Sequence, residues 1–174
     1  MKLYITLFLI LFNFITFGKI YADTKISYVD LQKILTKSLA AKSINSQIQM
    51  INKKNSKIIN DIQQNLLKEE KLIVSQKNIL EVGEFNSKAT EFKKKVEQYN
   101  KNKEKLIEEV NEKNLMGRKK LLEFLNPILA KYSDEKSISL IIQKKNIIIG
   151  KSELDITDDI MNILNDKIKK ISLN

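Results

Sequence analysis

The first alternation of apolar and polar positions lies at KISYV, residues 25–29, and predicts a short β-strand. Directly after it, DLQKILTKSLAAKS places Leu31, Ile34, Leu35 and Leu39 at helical spacing, with Asp30 as an N-cap. A helical stripe continues through Ile44, Ile48, Ile51, Ile58 and Ile62 in alternating steps of four and three. Polar Asn55 occupies one position of that seam. Beyond Ile62 the register slips to Leu66, Ile73 and Leu80, a local stutter. No Gly or Pro interrupts the run, so one helix is predicted over residues 40–81.

EVGEFNS, residues 81–87, is the predicted break, with Gly83 as a helix stop and Asn86 or Ser87 as a fresh N-cap. A second helical run then sets Phe85, Phe92, Tyr99 and Leu106 at strict seven-residue spacing, with Ala89, Val96 and Val110 filling the seam. Lys103, Lys113 and Gly117 fall where an apolar residue is expected, so the seam reads as loosely sealed. Gly117 is either a hinge or a tolerated helix glycine. LLEFLNPILAKY restores apolar character, and Pro127 is expected to kink the helix.

The period then changes again. ISLII (138–142) and NIIIG (146–150) are β-branched runs joined by Gln143-Lys144-Lys145, a connection of hairpin length. Asp155 or Thr157 caps a last helix, which carries Asp158 and Asp159 in its first turn and an apolar stripe from Ile156 to Ile171. The expected fold is α+β and mostly α: a small three-stranded β body with a long antiparallel helical hairpin inserted between its strands. Residues 23–39 and 127–174 would form the body and residues 40–126 the arm. Such a body is close to the size at which a lone core is marginal. Its apolar strands ask for a partner at their edges. The residues expected to meet that partner are Ile26, Tyr28, Leu140, Ile142, Ile147 and Ile149.

Composition narrows the chemistry. The 174 residues include 30% charged residues, four Gly, one Pro, and no Cys, His or Trp. A disulfide framework and a thiolate metal site are therefore excluded, and the commonest general base is missing. No Gly-rich phosphate loop is present. Asp158 and Asp159 read as helix N-terminal charges rather than a catalytic pair, and an enzyme is not expected.

The N-terminus adds a compartment. Lys2, the apolar run from Leu3 to Phe17 and small Ala22 before Asp23 have the layout of a secretory signal peptide, residues 1–22, cleaved after Ala22. An uncleaved anchor is the alternative, and it would make the protein a membrane-anchored structural coiled coil. The formal charge of +10 is unevenly spread: residues 40–131 hold 19 Lys/Arg against 12 Asp/Glu, whereas residues 132–174 hold seven of each. This basic middle reads either as a solvated Lys-rich face or as an attractor of acidic chains and anionic lipid. Export argues against nucleic acid as the partner.

KISYVDLQKIL after a signal peptide, then SISLII, a short turn, NIIIG and LDITDDIMNIL, resemble the two ends of the body in the Skp/OmpH family of periplasmic chaperones. The arms match that family in length and character only. The resemblance implies an ATP-independent holdase without cofactors, carrying unfolded outer-membrane β-barrel proteins through the periplasm. It also implies a trimer whose strands build a small central β-barrel, with three helical arms around a cavity. No motif here matches the family's lipopolysaccharide-binding residues position by position, so none is carried over, although an anionic lipid or lipopolysaccharide surface remains a partner in keeping with the charge. Lys93, Lys94, Lys95, Arg118, Lys119 and Lys120 are the candidates for client or membrane contact. Solvated helix faces are the plainer reading of both clusters. The aromatic heptad likewise reads as hairpin seam before it reads as a client surface.

Overall fold

The computed structural model describes residues 24–173, and the predicted export segment, 1–22, lies outside the described residues. The chain runs β1 (Lys25–Val29), α1 (Leu31–Lys37), α2 (Leu39–Ser75), α3 (Val82–Glu135), β2 (Ile138–Gln143) and α4 (Thr157–Lys167), with single 3₁₀ turns at Lys144–Asn146 and Ser152–Leu154. Asp30 caps α1 by accepting the Lys33 N–H at 2.8 Å. The helix then breaks at Ser38, which is fully buried and caps α2 by accepting from Ala41 N–H at 3.1 Å.

α2 and α3 form the predicted antiparallel hairpin, and at 1.5 Å per residue α2 alone is about 55 Å long. The break between them is not where expected. α2 stops at Ser75, and the chain turns through Gln76, whose carbonyl accepts from both Ile79 and Leu80 at 3.0 Å. Gly83 is not the stop: it lies in the first turn of α3, with open space around it and no positive φ. Nor do Asn86 and Ser87 cap, since Glu81 is the N-cap and has no side-chain cap bond. Pro127 lies inside α3 without ending it. Ser137, at φ 53°, makes the sharp left-handed turn into β2.

β1 and β2 pair in parallel, with Ile26 opposite Leu140 and Tyr28 opposite Ile142. Parallel neighbours need a long crossover, and the whole arm serves as it. The third strand and its hairpin are a correction: among the described residues the sheet has two strands, and the stretch 147–150 pairs with neither. Lys144–Asn146 forms a 3₁₀ turn instead of a hairpin turn. The free side of β1 is taken by the LDIT stretch, where Ile156 N–H donates to Tyr28 C=O at 3.0 Å beside a lone bridge from Tyr28 to Asp155. The outer edge of β2 carries no strand among the described residues.

The core gathers Val29, Ile34, Ile138, Ile156, Ile160 and Leu164 of the body with Ala41, Ile44, Ile48, Leu121, Leu125 and Ile128 of the arm roots. Thr157 locks the centre of the body. Its Oγ1 accepts from Asp30 N–H at 2.8 Å, and its hydroxyl donates to the Asp155 carboxylate, which also accepts Thr157 N–H at 3.0 Å. α4 ends at Lys167, short of the predicted stripe, and the rest of the chain turns back over the arms.

Candidate functional site

The six residues expected at a partner surface fall into two environments. Along β1, Ser27 and Val29 point into the core, so Ile26 and Tyr28 share the outer face with Leu140 and Ile142. Ile26 and Leu140 are exposed and Ile142 is half-buried. Tyr28 is buried by its own chain: its hydroxyl donates to Lys151 C=O at 3.2 Å, and a Cβ on Gly150 would lie 3.1 Å from its ring. The loop resting on that ring leaves Ile147 half-buried and Ile149 91% exposed, next to Ile148 at 99%. Two isoleucines bared so fully, beside an apolar strand face and an open strand edge, make a surface that water disfavours.

Lys144 closes this loop from the other side, pairing with Asp155 at 2.9 Å and standing 5.8 Å from the Tyr28 ring. The Asp155 carboxylate raises the Lys144 pKa. Burial alone would raise Asp155 in turn. The hydrogen bonds from Thr157 and Lys144 outweigh it and hold the carboxyl below the usual carboxylate range.

The basic candidates lie in two places on α3, about 35–40 Å apart along the helix, and do not form one site. Lys93 and Lys94 are exposed, while Lys95 reaches across the hairpin to Glu69 at 2.6 Å. Arg118 borders two clefts at the arm root, one with Leu35 and Ile44, the other with Gln143 and Lys144. Lys119 is exposed. Lys120 is not free for a client: it donates to Ser172 C=O at 2.7 Å.

Between the arms the seam is incomplete. Phe85, Phe92, Tyr99 and Leu106 are all half-buried, the state expected of residues at the margin of a two-helix seam. A cleft of about 290 Å³ opens at Ile62, Leu66, Glu69, Lys95 and Tyr99. At the tip, Ile79 and Val82 stand 81% and 77% exposed. Asn55 is buried and donates to Leu106 C=O and to Glu109, both at 3.2 Å, fixing the register of the two helices. Gly117 is not idle: a Cβ there would come within 2.6 Å of Ile44 Cγ2, so the two helices approach through it.

Sequence reasoning missed Gln47 and the tail beyond α4. The signal was present in the seam lapses at Lys113 and Gly117, which face that tail rather than solvent. Among the described residues no group of metal-ligating side chains comes together, and no helix is long and apolar enough to cross a membrane.

These features define a class: a long helical hairpin strung between two parallel strands of a small body that is apolar on its outer face. The family model for outer membrane protein (OmpH-like) matches residues 25–164, and the chain belongs to this family, the Skp/OmpH group that its body resembles. The match spans both strands, the entire arm and the LDIT cap. In fold, the chain is similar to a crystal structure of a candidate outer membrane chaperone (OmpH-like) from Caulobacter crescentus CB15. The TM-score is 0.80 at 15% identity, covering 86% of this chain and 88% of that one. No curated protein matches the chain in sequence.

Proposed function

We propose that the chain is a periplasmic, ATP-independent holdase that keeps unfolded outer-membrane β-barrel proteins from aggregating between its helical arms. The observation that carries this reading is the arm itself, long and half-sealed beyond Asn55, with a cleft in its seam and bare apolar residues at its tip. A wall of that kind offers many weak, non-directional contacts, which sum by avidity without a shaped pocket. Membership of the OmpH-like family supports the same role. Signal-peptide cleavage after Ala22 would deliver the mature chain to the periplasm.

The working unit on this reading is a trimer. Ile26, Leu140, Ile142, Ile147 and Ile149, with Ile148 beside them, form the subunit contact, and Tyr28 holds the 147–151 loop in position for it. Each arm segment, 40–131, carries a net +7, so three around one cavity give about +21, a field that draws in acidic unfolded chains. Lys93, Lys94, Arg118 and Lys119 are the side chains open to such a client or to an anionic lipid or lipopolysaccharide surface.

Light scattering on the mature 23–174 chain, alone and with an outer-membrane β-barrel protein diluted from urea, tests this. A trimer that keeps the client soluble without ATP supports the reading. A monomer or rod-like dimer that leaves the client to aggregate sinks it in favour of a structural coiled coil.

A further inference from the structure

The seam of α3 lapses at Lys113 and Gly117, and what fills the lapse comes from the far end of the chain. After α4, residues 168–173 run as neither helix nor strand across the roots of both arms. Ile171 and Leu173 are buried, and Lys169, Lys170 and Ser172 are exposed. Gln47 on α2 grips the tail by both ends of its amide: Nε2 donates to Ile171 C=O at 2.6 Å, and Oε1 accepts from Leu173 N–H at 3.1 Å. From α3, Lys113 donates to Leu173 C=O at 2.6 Å and Lys120 to Ser172 C=O at 2.7 Å. A Cβ on Gly117 would stand 3.2 Å from Leu173 Cδ2, so the absence of a side chain there makes room for the leucine. The tail lies beyond residues 25–164, the part of the chain that the family model matches.

All four of these hydrogen bonds end on main-chain atoms of the tail, and its two buried side chains, Ile171 and Leu173, stand at i and i+2, with Ile168 half-buried against the same core. Recognition of this kind reads an extended backbone with apolar residues at alternate positions and little else of its sequence. The same alternation marks a half-buried β-strand of any protein.

We propose that the groove between α2 and α3 at the arm root is a peptide-binding site held by the chain's own tail, and that an extended segment of an unfolded β-protein competes for it. Residues 168–173 then act as a releasable strap: seated, it ties the two arm roots together; displaced, it lets them part as the client enters. This rests on the holdase reading, because the client supplies the competitor. A tethered tail competes at an effective concentration of about a millimolar, so a client displaces it only when other contacts along the arm add to the segment's own.

The test uses a fluorescein-labelled IKKISLN peptide, the sequence of residues 168–174, titrated into the mature chain and into an Ile171→Ser/Leu173→Ser variant whose helicity is checked by circular dichroism. The variant should bind it at least roughly tenfold more tightly than the parent, because the competing tail no longer fits. A peptide with the residues that match Ile171 and Leu173 changed to serine should bind neither. Equal binding to both proteins, or none to a folded variant, overturns the proposal. If the variant loses its helicity, hydrogen exchange on the parent decides. The Leu173 amide should exchange roughly tenfold faster once an unfolded outer-membrane β-barrel protein is bound, with α4 unchanged. A chain that holds the client while Leu173 stays protected sinks the strap and leaves the holdase reading standing. A chain that binds the peptide but lets the client aggregate keeps the groove and sinks the holdase.

Discussion

The arm roots and the outer arm carry the same helical pattern of apolar residues, yet they bury it to different depths. At the root, Ala41, Ile44 and Ile48 of α2 and Leu121 and Leu125 of α3 are almost wholly shielded. Outward of Asn55, Ile62, Leu66, Phe92 and Tyr99 occupy equivalent seam positions and stay half-open, and only Ile73 is buried. The difference is a third layer. Two helices cover one another along a single stripe, whereas at the root α4 and the tail close the remaining side. Periodicity decides which residues face inward. Whether they are buried depends on what else arrives, so the stability of the chain is concentrated in the body and root, and the outer arm is free to open locally.

Leu125→Ala should have the largest effect. Leu125 is fully buried where the root meets the body, and emptying that volume should cost about 3 kcal/mol and lower the melting temperature of the whole chain. Phe92→Ala removes a larger side chain from a half-open position and should cost only about 1 kcal/mol, because much of its surface already meets water. Thermal melts followed by circular dichroism compare the two. Equal losses would mean that the outer arm is packed as tightly as the root.

Gly117→Ala comes next. On a solvated helix face this change gains about 1 kcal/mol of helix propensity. Here the new methyl would meet Ile44 Cγ2 at 2.6 Å, on a β-branched side chain close to the α2 backbone, so the helices must separate. A net loss of about 1 kcal/mol is expected. Pairing it with Ile44→Ala should recover part of that loss in a double-mutant cycle, and purely additive effects would remove the close approach as the cause.

These contrasts explain which parts of the fold the sequence could reveal. The strand at 25–29, the long hairpin and Asn55 at the seam are local patterns, and each is found close to its expected place; the last helix also starts where expected, but its N-cap is Ile156 and neither Asp155 nor Thr157. The misplaced features depend on distant chain. NIIIG reads as a strand because it is β-branched, but the place beside β1 is filled by Asp155 and Ile156, which leaves Ile148 and Ile149 bare. Gly83 reads as a stop because glycine so often ends helices, yet the turn is made at residues 76–80 without it. Lys113, Gly117 and Lys120 look like a lapse and a basic cluster until the tail is laid over them. Nothing in the spacing of residues 168–173 announces contacts with positions 47 to 120.

The junction of α3 with α4 offers a test through pH. Burial, with the Asp159 carboxylate accepting from its hydroxyl at 2.5 Å, pushes the Tyr132 pKa up to about 12. A raised phenol pKa favours the fold while the phenol is protonated in both states. That contribution is complete below pH 10 and is lost between pH 10 and 12, as the unfolded chain ionises first. Tyr132→Phe should flatten this alkaline loss and cost about 1 kcal/mol at neutral pH through the missing hydrogen bond. Asp155 works with the opposite sign. Its carboxyl is held low, so its contribution is present above the unfolded value of about 3.9 and fades as pH falls through the folded one. Urea titrations across both windows measure the two slopes; Asp155→Asn should remove the acidic one and leave the Tyr132 part of the alkaline one, trimming only what Asp155 adds there by raising the Lys144 pKa.

The smallest effect belongs to a salt bridge across the outer seam. Lys95 and Glu69 meet at 2.6 Å over the cleft beside Tyr99, with side chains 53% and 32% exposed. Their attraction is largely spent on holding two long side chains in a single arrangement against water and salt. A double-mutant cycle of Lys95→Ala and Glu69→Ala should therefore give a coupling of about 0.3 kcal/mol, shrinking as salt is added. The pair is a sensitive gauge because its strength depends on how dry the seam is around it. A coupling above about 1 kcal/mol that survives high salt would mean that the cleft is closed in solution, and that the outer arm is sealed by packing as the root is.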